Sequence, residues 1–177
     1  MVDLSEFSSI SPYTDAEAAE ALSKLADYPV VGIASQHFFP DQSPDFLKNL
    51  LKEIKTIDDF QILVMQKLVR WVIDHTAKNF SYDGINNIDP DKKFLALSNH
   101  RDIMIDPAIT QLVLYNNGIP LTEIAVGDNL ITNKAVEWLI RSNRMIKVIR
   151  GVSARELYLS SQLLSKYIRM NITEQRS

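Results

Sequence analysis

Short apolar runs alternate with helical patterns three times in the second half of the chain, and this alternation constrains the fold more than any other feature. Apolar runs predict strands at residues 94–97, 122–126 and 145–149, and residues 80–85 alternate as a strand does. Helical patterns follow at residues 107–117, 135–141 and 153–170. Strands that alternate with helices form parallel sheets whose faces the helices cover. We therefore predict an α/β fold in which N-terminal helices precede a mainly parallel sheet covered by helices.

The N-terminal part of the chain shows helical periodicity without strand signals. Helices are predicted at residues 14–27, 43–54 and 58–73. The first has a capping box at Thr14 and Glu17, and the last carries a stripe of apolar residues. The pattern is interrupted by three prolines, Pro29, Pro40 and Pro44. We predict two parts, a helical N-terminal region over residues 1–79 and the first part of an α/β domain over residues 80–177.

Composition excludes several classes of protein. The net charge of −3 gives no sign of nucleic-acid binding, and the absence of cysteine excludes disulfides and thiolate chemistry. No apolar stretch approaches the ~20 residues that cross a bilayer, and the N-terminus lacks the pattern of a signal peptide. We expect a cytoplasmic protein that is soluble or at most peripheral on the inner face of the membrane.

A polar cluster follows the first predicted strand, at Ser98-Asn99-His100-Arg101-Asp102 and Asp106-Pro107. Strand ends of this kind carry the chemistry of many α/β proteins, and an imidazole held by a carboxylate can take a proton from a hydroxyl. The same pattern also fits a polar loop in which Asp106-Pro107 caps the next helix. His100 is thus a candidate general base, whereas we assign no role to His37 or His75.

Residues 94–170 resemble the glycerolipid acyltransferases, which acylate glycerol 3-phosphate or lysophosphatidate. Their first block is Asn-His followed by four residues and an aspartate, and Asn99-His100 lies near two aspartates here. The segments 125–130 and 138–141 resemble the stretch between the first two blocks. Residues 145–151, an apolar run that ends in Arg150-Gly151, resemble the second block.

The resemblance implies an O-acyltransferase of phospholipid synthesis. A thioester donor, acyl-CoA or acyl-carrier protein, would supply a fatty acyl group to a glycerol phosphate or a lysophospholipid. His100 would act as the general base and Asp106 would orient it. Asp106 lies one residue beyond the family's position, which Ile105 occupies here, and Asp102 is the rival partner.

The resemblance also assigns the substrate's anionic group. Arg150 would bind the acceptor's phosphate through paired hydrogen bonds, and Asn99 and Arg101 would contribute to substrate binding. No metal or other cofactor is required. Phe38-Phe39-Pro40 and Trp71 are candidates for contact with a membrane surface.

The family's third block, a Glu-Gly pair with a nearby arginine, has no counterpart before Ser177. We therefore expect the N-terminal portion of a longer enzyme, inactive alone, that self-associates through apolar surface beside residues 145–149 or 94–97. Two other interpretations compete. One makes His100, Asp102 and Asp106 metal ligands of a hydrolase, and the other is a non-catalytic helical interaction fragment. A position of His100 in an open cleft at the carboxyl edge of the sheet favours catalysis, whereas a buried or capped His100 argues against it.

Overall fold

Helices surround a two-stranded parallel sheet in the computed structural model, which describes residues 4–173. The helices are α1 Asp15–Leu25, α2 Pro29–Phe38, α3 Phe46–Glu53, α4 Ile57–Phe60, α5 Gln66–Thr76, α6 Ile105–Asn116, α7 Lys134–Ser142 and α8 Ala154–Thr173. A π-helical segment, Gln61–Met65, connects α4 to α5. The strands are β1 Ile124–Gly127 and β2 Met145–Val148. None of the helices in this described part is long and apolar enough to span a bilayer.

The sheet confirms the predicted α/β class. β1 and β2 run parallel, with Ile124 opposite Met145 and Gly127 opposite Val148, and α7 connects them. The chain before α1 lies along the other side of β2, where the backbone N–H of Lys147 donates to the carbonyl oxygen of Ile10 at 2.8 Å. That contact satisfies an amide at the edge of the sheet.

The larger hydrophobic core lies between the N-terminal helices. Its buried side chains come from α1 to α4, the π-helical segment and the turns between them: Leu22, Leu25, Ala26, Val31, Leu47, Leu51, Ile54, Phe60 and Val64. Ala135 and Trp138 of α7 pack against this cluster. The helical N-terminal region and the βαβ unit therefore share one core.

A second hydrophobic cluster joins the N-terminal segment to β2 and α8. Phe7 and Ile10 pack with Ile146, Tyr167 and Met170, and the rings of Phe7 and Tyr167 lie 5.3 Å apart. The segment is also held by Arg141, whose guanidinium donates to the carbonyl oxygens of Ser8 and Ser11 at 2.7 and 2.9 Å. Residues far apart in sequence thus fix β2 and α8.

Local sequence signals position three helix ends as predicted. Thr14 and Glu17 form both hydrogen bonds of a capping box, and Ser153 and Glu156 form the same pair before α8. Gly118 ends α6 with φ at 68°, and the amide of Ile119 donates to the carbonyl of Leu114. This is the Schellman arrangement, which favours glycine because a side chain is strained at positive φ.

Three local predictions are wrong. Residues 94–97 form no strand, and Leu95 and Leu97 are 57% and 87% exposed. The alternating segment 80–85 is not a strand either. Pro29 does not interrupt helical structure but begins α2, because proline lacks the amide that the first turn of a helix leaves unpaired.

Candidate active site

Two carboxylates accept hydrogen bonds from the backbone of the loop that carries His100. Asp106, in the first turn of α6, reaches back, and its Oδ2 accepts the backbone N–H groups of Arg101 and Asp102 at 2.6 and 3.0 Å. The Oδ1 of Asp102 accepts those of Met104 and Ile105, both at 2.8 Å. Asp102 thus binds the amides of the N-cap residue Met104 and of the first helical residue, and the two carboxylates together hold the backbone of this loop.

His100 is exposed on this loop, neither buried nor used as a cap. Its ring makes no hydrogen bond to either carboxylate, and within residues 4–173 each aspartate retains one oxygen without a hydrogen bond. Hydrogen bonds from the amides of Ile105 and Met104 lower the pKa of Asp102, and the charge of His100 lowers it further. Both aspartates thus remain available to the imidazole.

Arg150 lies at the carboxyl ends of the two strands. Its backbone N–H donates to Oδ1 of Asp128 at 3.0 Å, which ties the end of β2 to the residue that follows β1. A Cβ atom on Gly127 would lie 3.1 Å from Nε of Arg150 and 2.4 Å from Oδ1 of Asn129. Gly127 therefore leaves the space that the Arg150 side chain crosses.

The chain reverses after α6 and leads into β1. Gly118 turns the chain, and Thr122 then pairs with Gln111 of α6 through both its backbone N–H and its carbonyl. β1 begins at Ile124, two residues further on.

Sequence reasoning missed two residues that shape this site. Asp128 anchors the backbone of Arg150, and Gly127 makes room for its side chain. Both stand in the segment that resembles the stretch between the first two blocks, yet no role was predicted for them. The sequence carried a signal for Gly127 alone, because glycine in a strand often marks a close backbone approach.

The remaining predicted residues are placed as follows. Asn99 and Arg101 are exposed on the loop beside His100. Phe38 and Trp71 pack edge to face, and Trp71 stacks on His75 with 4.1 Å between the rings. Across residues 4–173, no group of three or more metal-ligating side chains is arranged to hold an ion.

Comparison with known proteins identifies a family. The family model described as Acyltransferase matches residues 79–172, a little over half of the chain. No curated protein and no solved structure matches the chain. The matched residues contain the loop of His100, both strands and all but the last residue of α8.

Proposed function

Because this chain belongs to the acyltransferase family, we propose that it moves a fatty acyl group from a thioester donor to a hydroxyl of a glycerol phosphate or a lysophosphatidate. Acyl transfer follows from the family, and the two blocks that resemble glycerolipid acyltransferases support the acceptor. One observation carries the mechanism. His100 is exposed on a loop whose backbone amides donate to the carboxylates of Asp102 and Asp106.

In the proposed mechanism His100 acts first as a base. Its imidazole takes the proton of the acceptor hydroxyl while the hydroxyl oxygen attacks the thioester carbonyl, and general-base assistance of this kind is worth ~10²–10⁴ in rate. The tetrahedral intermediate then breaks its C–S bond, and the departing thiolate receives the proton back from the imidazolium. Asp106 orients the ring and stabilises its cation, with Asp102 as the rival for this role.

Arg150 provides the proposed site for the acceptor's phosphate. A guanidinium can donate two parallel hydrogen bonds to one phosphate, and the tie to Asp128 fixes the backbone of Arg150. Asn99 and Arg101 stand beside the base and would contact the same substrate. The donor would be acyl-CoA or acyl-carrier protein, and the reaction would serve phospholipid synthesis at the inner face of the membrane.

The experiment compares two histidine variants of the protein. His100→Ala should reduce acyl transfer from palmitoyl-CoA to glycerol 3-phosphate and to lysophosphatidate by about 10² or more, with an unchanged melting temperature. His75→Ala removes an exposed histidine of α5 and should retain activity. A folded His100→Ala enzyme with normal turnover would overturn the mechanism.

A further inference from the structure

Asn129 and Arg150 occupy equivalent positions at the ends of the two strands. β1 and β2 run parallel and end at the paired residues Gly127 and Val148. Asn129 follows the first of these by two residues, and Arg150 follows the second by two residues. Ligands of parallel sheets bind at this edge, beyond the carboxyl ends of the strands. Both side chains belong to exposed residues, so a ligand at the edge can reach them.

The two side chains also converge on the face of Gly127 that carries no side chain. A Cβ atom on Gly127 would lie 2.4 Å from Oδ1 of Asn129 and 3.1 Å from Nε of Arg150. Because both atoms lie so close to one point, a single small anion can contact the amide and the guanidinium together. Gly127 therefore permits an approach of two polar groups that a side chain at this position would obstruct.

The backbone on both sides of Asn129 is held in place. Asp128 accepts the backbone N–H of Arg150 through Oδ1 at 3.0 Å. The carbonyl oxygen of Asp128 accepts the N–H of Ile131 at 2.9 Å, which closes a short 3₁₀ helix over Asp128–Leu130. Asn129 is thus carried on a turn that is tied to the end of β2, which reduces the ordering that binding would require.

Neither side chain uses its donors within the protein. Among the residues that the structure describes, the amide of Asn129 and the guanidinium of Arg150 form no hydrogen bond or ion pair. The carboxylate of Asp128 binds the backbone of Arg150 and offsets part of the positive charge at the strand ends. A second donor beside the guanidinium would therefore strengthen the binding of an anion.

We propose that Asn129 is a specificity-determining residue for the acceptor, because Nδ2 of its amide donates a hydrogen bond to the phosphate that Arg150 also binds. The proposal rests on the proposed function, which assigns the acceptor's phosphate to Arg150. An acceptor that carries a phosphate gains this hydrogen bond, and an acceptor without a phosphate does not. Asn129 thus favours phosphorylated acceptors.

The first test separates KM from kcat. Asn129→Ala removes the donor and should raise KM for glycerol 3-phosphate about tenfold, with kcat within about twofold, because the phosphate is bound equally in the ground state and the transition state. Asn129→Asp replaces the donor with a like charge and should raise KM at least about fivefold more. Asn49→Asp is the matched control, since Asn49 is exposed on α3 and undergoes the same change of charge.

Two kinetic outcomes would overturn the proposal. One is an unchanged KM for glycerol 3-phosphate in Asn129→Asp. The other is a rise confined to KM for palmitoyl-CoA, which would assign the amide to a phosphate of the donor instead of the acceptor.

A second test measures binding without turnover. Titration calorimetry of glycerol 3-phosphate into the protein, with no acyl donor present, should give a Kd about tenfold higher in Asn129→Ala and unchanged in Asn49→Asp. Equal affinities in wild type and both Asn129 variants would refute the role of Asn129 even where acyl transfer depends on His100. Binding that depends on Asn129 in a protein that transfers no acyl group would instead refute the proposed function and leave the anion site supported.

Discussion

Two amide substitutions decide which aspartate is the partner of His100. Asp106→Asn keeps an oxygen that can accept the N–H groups of Arg101 and Asp102, but it removes the negative charge. Asp102→Asn likewise keeps an oxygen that can accept the N–H groups of Met104 and Ile105. Each change therefore leaves the loop formed while removing one carboxylate from the neighbourhood of the imidazole.

The expected magnitudes differ between activity and stability. Asp106 accepts two loop hydrogen bonds, each worth about 1 kcal/mol, so Asp106→Ala should lose about 2 kcal/mol of unfolding free energy. For a chain of this size that loss corresponds to roughly 4–8 °C in melting temperature. Asp106→Asn should lose far less stability. If Asp106 orients His100, its amide variant should lower kcat by up to ~10⁴, because a misoriented or mispaired imidazole is a poor base.

The assay combines steady-state acyl transfer with thermal unfolding followed by circular dichroism. We expect Asp106→Asn to lower kcat strongly and Asp102→Asn to lower it no more than about tenfold, with both proteins folded. The opposite order would assign the partner role to Asp102, whose pKa already responds to the charge of His100. Full activity in both variants would refute the reasoning, since no carboxylate would then support the base.

Three further changes test the structure around the site. Gly127→Ala should raise KM for the phosphate-bearing acceptor, because its Cβ would lie 3.1 Å from Nε of Arg150; an unchanged KM contradicts that placement. Phe7→Ala should lower the free energy of unfolding in urea by ~3–5 kcal/mol, since the ring is 1% exposed against Tyr167, and a loss below ~1 kcal/mol would show an undocked segment. Glu17→Gln should flatten the acid side of the stability curve. The pKa of Glu17 is lowered, chiefly by a backbone hydrogen bond from the capping threonine. Its stabilisation is therefore present above the ordinary value of 4.5 and is lost as pH falls through the lowered pKa. Urea midpoints that change with pH by the same amount in wild type and in Glu17→Gln would contradict this expectation.

The sequence predicted those elements whose signals are local. The capping boxes at Thr14 and Ser153 and the stop at Gly118 act within one helical turn, so they hold in any tertiary context. Residues 94–97 pair with neither β1 nor β2, and strand pairing is a long-range contact that a local sequence pattern does not specify. The same limit applies to the core, because the contact between Phe7 and Tyr167 joins residues that no periodicity relates.

The residues of the candidate site also divide into those with local sequence signals and those whose role depends on long-range contacts. His100 and its two aspartates were found because they lie close together in the sequence. Only the structure shows which backbone amides each aspartate accepts. Each carboxylate accepts two backbone N–H groups, a role that residue types alone do not indicate. Gly127 and Asp128 were missed because their importance arises from Arg150, which lies over 20 residues away.

Packing also bears on the sequence boundary predicted between residues 79 and 80. Trp138 of α7 packs against the N-terminal helical core, and the buried side chain of Gln61 donates to Asn143 at the end of α7. Phe7 belongs to the second hydrophobic cluster, where it packs with Tyr167 and Met170 of α8. Removing residues 1–79 would therefore uncover apolar surface on both α7 and α8 and leave the side chain of Asn143 without its buried donor. A unit limited to the family-matched residues would therefore lack the side chains that cover α7, β2 and α8.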